Sequence, residues 1–334
     1  MDSSVSTVLT LSPSPHVKHK NTTQVVMRDV LIALAPAFIW SVIAFGYMAA
    51  VLTAVSVALC IFYEAAYQKL TKKPVTVSDC SAAITGVLIA FNLPVTCAPW
   101  VLIFGCFFAI VIVKQLFGGI GKNVVNPAIA ARIFMFVSWP SQVSGFKDFM
   151  FYKSDVDGVS YATPLTELKA GENKELFSTI SDSFFGTVGG SLGEVSALLL
   201  IIGGVYLLVR RVITWHIPVA FIGTVALISL CIPQLGLTNF ETMAYHVFSG
   251  GLMLGAIFMA TDYTTSPVTP NGRLIFGVGC GLLTVLIRYL GAYPEGISFA
   301  IMIMNLLVWY IDRATMPKVF GQRKVKNADK GGKA

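Results

Sequence analysis

Long apolar runs recur along this 334-residue chain and leave few folds open to it. A helix needs roughly 17–25 mostly apolar residues to cross a bilayer, because lipid cannot satisfy backbone N–H and C=O groups. Ten spans are read, at 30–46, 48–66, 76–93, 98–116, 123–138, 194–210, 216–233, 246–261, 274–290 and 297–312. Composition agrees: 55% of residues are hydrophobic and only 12% charged, with a mean hydropathy of +0.74. An ordinary soluble domain has about 25% charged residues. The expected fold class is therefore an all-α polytopic membrane protein. Several spans are short or interrupted by Gly and Pro, and 76–93 and 123–138 are the weakest; such helices are tolerated where they face protein or a cavity.

Basic residues set the orientation. With the N-terminus in the cytoplasm, Lys18, Lys20, Arg28, Lys69, Lys72, Lys73, Lys114, Lys122, Arg210, Arg211 and Arg273 fall on that side, and the tail from Arg313 to Lys333 adds seven more. The other side holds four lysines, all within 139–193, and Arg288 near a boundary. This is a positive-inside pattern with both termini cytoplasmic. The net charge of +7 then reflects a cytoplasmic collar facing anionic lipid and calls for no nucleic acid. The first apolar run begins near Val30, after a polar segment too long for a signal n-region, so the first helix is expected to remain as an anchor. The resulting organisation is a cytoplasmic arm (1–29), a first five-helix unit (30–138), an extracytoplasmic loop (139–193), a second five-helix unit (194–313) and a basic tail (314–334).

The chain resembles itself. Ile84–Pro94 and Met253–Tyr263 each run an apolar helix with an internal glycine into a polar turn. On the charge assignment the two units start on opposite sides of the membrane, which describes an inverted repeat, with binding sites expected near the repeat interface.

The long outer loop carries Asp157-Gly158-Val159-Ser160-Tyr161-Ala162-Thr163. This fits Asp-x-x-[Ser/Thr]-x-Ala-Thr, which resembles the site where a flavin transferase joins FMN through its phosphate to a threonine hydroxyl. Asp157, Ser160 and Ala162 form the motif around the acceptor Thr163. Gly158 and the Thr163-Pro164 step supply turn-prone backbone for an accessible hydroxyl.

A second stretch, Gly118 to Arg132, fails the Walker pattern, since Leu116 stands where a glycine is required and Asn123 replaces Ser/Thr; it also fails the dinucleotide fingerprint. It does bring a glycine turn into a span holding Asn123, Asn126 and Arg132. Amide side chains can pair with the donor–acceptor edge of a flavin ring. An arginine within the bilayer is either functional or part of a buried network tying helices together.

Among the acids, Asp79 and Asp262 lie near cytoplasmic span ends at loosely matching places in the two halves. They could line a path for Na⁺ or H⁺, or sit hydrated at the interface. Glu64 and Asp312 are expected to be hydrated there, and Glu295 completes the group. The six cysteines show no CxxC spacing, which argues against a metal or iron–sulfur site. His16 and His19 lie in the arm, and His216 and His246 near opposite ends of their spans, a poor arrangement for haem. No catalytic constellation is present.

Taken together, Lys114–Arg132, the Asp157–Thr163 motif with Pro164-Leu165, Ala260-Thr261-Asp262 and Tyr293-Pro294-Glu295-Gly296 resemble the RnfD family, the D subunits of Rnf-type ion-translocating electron transport complexes. They also resemble a related group, the B subunits of the Na⁺-translocating NADH:quinone reductases; the short N-terminal arm favours the former. Tyr161 departs from the pattern, since the family often has a small residue there. The resemblance implies about ten transmembrane helices in two inverted repeats, urea-transporter-like, in a bacterial or archaeal cytoplasmic membrane. It implies FMN on Thr163 and riboflavin held without a covalent bond near Asn123 and Asn126, with Arg132 a further candidate. Electrons would pass between ferredoxin and NAD⁺, coupled to Na⁺ or H⁺ movement, through a chain that is one part of a larger complex and not catalytic alone. Implied partners are a second FMN-bearing subunit, membrane iron–sulfur subunits, an FMN transferase and lipid. The rival reading is a channel or transporter for a small solute on the same scaffold.

Overall fold

The computed structural model describes residues 22–153, 163–170, 179–194, 196–234, 237–291, 293 and 295–317. Asp157, Ser160 and Ala162 lie outside the described residues. Those described form helices and turns only.

The first half runs through α1 (Thr23–Phe45), α2 (Tyr47–Leu70), α3 (Ser81–Phe91), α4 (Pro99–Gln115) and α5 (Pro127–Ser138). Short helices follow: α6 (Pro140–Val143), α7 (Pro164–Ala170) and α8 (Ile180–Phe185). The second half comprises α9 (Ala197–Val209), α10 (His216–Cys231), α11 (Asn239–Phe248), α12 (Leu252–Met259), α13 (Pro270–Leu290) and α14 (Ile297–Thr315).

By length and composition α1, α2, α13 and α14 can each cross a membrane, and α11 with α12, bent by 60° at their break, is either a fifth, broken span or a re-entrant loop. The single span expected at 246–261 is thus two pieces. Ser249 leaves the helical region and Gly250 takes φ +68°, a left-handed conformation that ends α11. Helix α3 has only 11 residues, about 16 Å at 1.5 Å per residue, roughly half the hydrocarbon thickness of about 30 Å. Cys80, at φ +63°, cuts it off from the 3₁₀ turn Val77–Asp79, and the Asp79 carboxylate caps it by accepting from Ser81 N (2.9 Å) and Oγ (2.7 Å). Helix α5 starts equally sharply, with Asn126 accepting from Ala128 N (3.0 Å) and Pro127 at its first position. The C-terminal end of α3 and the N-terminal end of α5 are buried, where the side chains of Asn92 and Asn126 meet their backbone.

Helix pairs approach closely where side chains are small. On α13 the missing Cβ atoms of Gly277 and Gly281 would stand 2.9 and 3.0 Å from the carbonyls of Ile217 and Phe221 on α10. This is the small-residue packing that brings helices together when lipid surrounds them. The opposite faces stay apolar and exposed, as at Ile39, Phe62, Val137, Leu227 and Trp309, a surface suited to lipid or neighbouring subunits. The segment between the two halves is fastened to α1 by Trp40 Nε1 donating to the Gly186 carbonyl (2.8 Å) and by Met150 N donating to Ala44 O (2.8 Å).

Two stretches are wound as π-helix: Phe108–Gln115, the end of α4, and Gly255–Met259, the end of α12. Such windings concentrate at functional sites, and each of these ends beside one cavity.

Candidate cofactor and ion sites

That cavity, about 410 Å³, opens between α1, α3, α5 and the turn after α12. Its polar wall includes Ser81, Lys114, Asn123, Asn126 and Asp262, set among Met27, Ile84, Leu88 and Phe258. Volume and lining match small-molecule sites, which are mostly apolar with a few placed polar groups. The Asn123 Oδ1 atom is buried without a hydrogen-bond partner, an acceptor available to a ligand. Asn126 is committed instead: its amide donates to the Met259 carbonyl (3.2 Å) while its oxygen caps α5. Asn305 on α14 backs this turn: with its amide turned so that both groups are satisfied, it donates to Thr265 O (3.1 Å) and accepts from Asn126 N (3.2 Å).

Asp262 lines the same cavity and organises the next turn, accepting from Thr264 Oγ1 (2.8 Å) and Thr265 Oγ1 (3.3 Å). Asp79 is not among the lining residues; it adjoins the cavity through Ser81. Both carboxylates are partly accessible. The structure therefore puts Asn123, Asn126 and Asp262 in one wall, with Asp79 behind Ser81.

Glu64 corrects the expectation of a hydrated interfacial acid. It is 1% exposed and pairs with Lys114 (2.9 Å), whose ammonium also donates to Ser81 Oγ (2.7 Å). Gln115 donates to the same carboxylate at 2.7 Å. The π winding of α4 lets consecutive side chains reach one acceptor. Asp312 is partly exposed and accepts from Val268 N (3.0 Å).

Arg132 lies apart from the cavity wall. Its guanidinium donates to the Asn92 amide oxygen, pairs with Glu194 at 3.0 Å and pairs with Glu295. One side chain thus joins α5 to the end of α3 and to the segments that precede α9 and α14. Breaking such a buried pair from one side leaves an uncompensated charge.

Thr163 stands beside this network. With Ser183, Gly190, Ser249, Gly250, Glu194 and Glu295 it lines a small cavity of about 20 Å³. The hydroxyl is 2.8 Å from Thr166 Oγ1, the residue is only 6% exposed, and its carbonyl accepts from Thr166 N (2.8 Å), starting α7. Serine hydroxyls line the cavity together with the carboxylates of Glu194 and Glu295, and its volume is room for roughly one water. The volume holds no flavin ring.

Sequence reasoning did not find Glu194, Asn92, Asn305 or the pairing of Lys114 with Glu64. Lys114 carried the one usable signal, since a cation at the end of an apolar run needs a partner; the partner lies fifty positions away.

Residues 10–321 match the model of the NQR2, RnfD, RnfE family. The D subunit of the Na(+)-translocating ferredoxin:NAD(+) oxidoreductase complex of Acetobacterium woodii is 46% identical over 324 residues, covering 96% of this chain and 98% of that protein. The D subunit of the proton-translocating ferredoxin:NAD(+) oxidoreductase complex of Clostridium ljungdahlii is 38% identical over 326 residues, covering 95% and 97%. Its counterpart in the ion-translocating oxidoreductase complex of Stutzerimonas stutzeri is 36% identical over 345 residues, covering 91% and 98%. Matched from near one end to the other, this multi-pass membrane chain belongs to the NQR2, RnfD, RnfE family.

Proposed function

We propose that this chain is the D subunit of an Rnf-type membrane complex that couples electron transfer between ferredoxin and NAD⁺ to movement of Na⁺ or H⁺. The end-to-end relation to the Acetobacterium protein, at 46% identity, carries this reading. The chain carries electrons on FMN esterified to Thr163, and riboflavin occupies the 410 Å³ cavity. Bound there, the flavins supply reversible electron transfer between partner subunits.

The residues divide the work. Asn123 offers its free acceptor to the imide N–H of a ring, and the apolar wall excludes water from the ring face. The partly accessible Asp262 and Asp79 form a polar route for a cation at the cytoplasmic mouth. Arg132 holds the half-length helices in register through Asn92, Glu194 and Glu295, which connects the outer cavity to the membrane interior. Counting α3 and α5 as short members, ten spans form two inverted five-helix units with both termini cytoplasmic. The eighteen-to-four bias of basic residues supports that orientation. The partners are the other subunits of the complex, including a second FMN-bearing subunit, and an FMN transferase acts on the loop.

The test uses inverted membrane vesicles from a host whose own copy of this gene is deleted. Ferredoxin-dependent NAD⁺ reduction and the accompanying ion uptake should both vanish on deletion and return with the intact gene. Undiminished activity in the deletion strain would refute the assignment.

A further inference from the structure

A buried ion pair stands in the wall of the cavity that holds Asn123. Among the described residues lining that cavity, the ionisable side chains are Lys114, Asp262 and Tyr263. Lys114, at the π-wound end of α4, is 2% exposed. Its ammonium pairs with Glu64 on α2 (2.9 Å) and donates to the hydroxyl of Ser81 at the start of α3 (2.7 Å). Gln115, the next residue along α4, donates to the same carboxylate at 2.7 Å. A charge seated this way, with every contact in place beforehand, does not have to reorganise when a ligand's charge changes.

The pair has a direction. Lys114 and Ser81 line the cavity, whereas Glu64 and Gln115 do not. The ligand side of the pair is therefore its positive end, with the carboxylate held behind it. Met27, Ile84, Leu88 and Phe258 make the neighbouring wall apolar, and in such surroundings a charge is felt more strongly than in water. Asp262 opposes it from the turn after α12. Its oxygens are taken up locally, accepting from the hydroxyls of Thr264 and Thr265 and from Thr264 N. An oxidised flavin ring is neutral. Two electrons from a partner subunit and one proton from solvent leave the ring with a single negative charge, next to this cation.

We propose that Lys114 sets the reduction potential of the ring in this cavity, its ammonium favouring the negatively charged reduced form over the neutral oxidised one. This rests on the reading of the cavity as a riboflavin site. Lys114 needs no free N–H for the task, because the attraction acts between a fixed charge and one that appears on reduction. Glu64, Gln115 and Ser81 are positioning residues that hold the ammonium in the wall.

The test uses the full chain with Thr163→Val as parent, so that only added riboflavin titrates. Three further forms carry Lys114→Met, Lys114→Arg, or Lys114→Met together with Glu64→Met. Equilibrium dialysis gives the Kd of oxidised riboflavin, and a spectroelectrochemical titration gives its midpoint potential when bound. Lys114→Met should shift the reduced-to-oxidised ratio at fixed ambient potential roughly tenfold toward the oxidised form, a fall of about 30 mV for a two-electron couple. The Kd of the neutral oxidised ring should change by less than about threefold. Lys114→Arg keeps the charge and should stay near the parent potential, while the double variant removes the whole pair and should lie between the parent and Lys114→Met. A purely structural Lys114 would weaken both forms of the ring alike, so an unchanged potential in Lys114→Met, or an equal fall in Lys114→Arg, overturns the proposal. Should Lys114→Met fail to fold, the double variant, which strands no charge, decides: a lowered potential supports the role and an unchanged one overturns it. A parent chain that takes up no riboflavin would remove the reading beneath the proposal, and the dialysis shows this before any potential is compared.

Discussion

Under the proposed orientation, the inner and outer ends of this protein offer contrasting ways to hold a group. At the inner end a preformed cavity of about 410 Å³ has apolar walls, an idle amide oxygen on Asn123 and a capped turn at Asp262. At the outer end the room beside Thr163 is about 20 Å³, and the surroundings are charged: Arg132 with two glutamates, and Arg288 against His246. A cavity with hydrogen-bonding capacity retains a neutral ligand by shape. A small charged recess cannot, so a cofactor there needs a tether. Under the proposed function, this contrast explains why one flavin is held by a covalent bond and the other by its pocket alone.

Removal of the tether gives the largest expected effect. Thr163→Val should abolish covalent flavin while leaving riboflavin in the inner cavity, so the gel band disappears but flavin is still extracted by mild denaturation. Loss of both together would mean that the two sites are not independent. Next in size is the outer charge network. Arg132→Met strands Glu194 and Glu295, and breaking a buried pair from one side costs about 3–5 kcal/mol. A thermal melt should show the drop, and Lys114→Met, which strands Glu64 at the inner end, should match it; a much smaller loss for Arg132→Met would show the outer network to be well hydrated.

Replacement of inner carboxylates separates ion handling from electron flow. Asp262→Asn is expected to lower ion uptake per electron several-fold in vesicles while electron transfer continues, with Asp79→Asn smaller because it stands behind the wall. Normal ion-to-electron ratios in both variants would remove them from the pathway. The smallest effect belongs to the idle amide. Asn123→Ala removes one hydrogen bond, worth about 1.5 kcal/mol at most, so riboflavin should bind roughly tenfold more weakly by equilibrium dialysis. Unaltered binding would place the ring elsewhere.

Much of the helical frame was legible because apolar length and small residues report directly on membrane helices. The ends of α2, α4 and α13 fall within a few residues of the runs read from composition. Helix α3 came out shorter than its run because Asp79 and Cys80 act through a cap and a left-handed residue, signals that hydropathy averaging erases. The break between α11 and α12 sits at Ser249-Gly250-Gly251, a visible glycine pair that an apolar window smooths over. For the sites, the local patterns around Asn123 and Thr163 could be read in order along the chain. Pairings could not: Arg132 meets residues 40, 62 and 163 positions away, and Arg288 meets His246 across 42. Such contacts depend on how helices stack, which no single stretch of residues encodes.

The central claim is that Thr163 carries a redox group. Intact-mass spectrometry of the full chain, produced beside an active FMN transferase, tests it most directly. The account predicts a mass increased by one FMN moiety, with peptide mapping assigning the addition to Thr163. An unmodified mass, or an addition mapped to another residue, would contradict it.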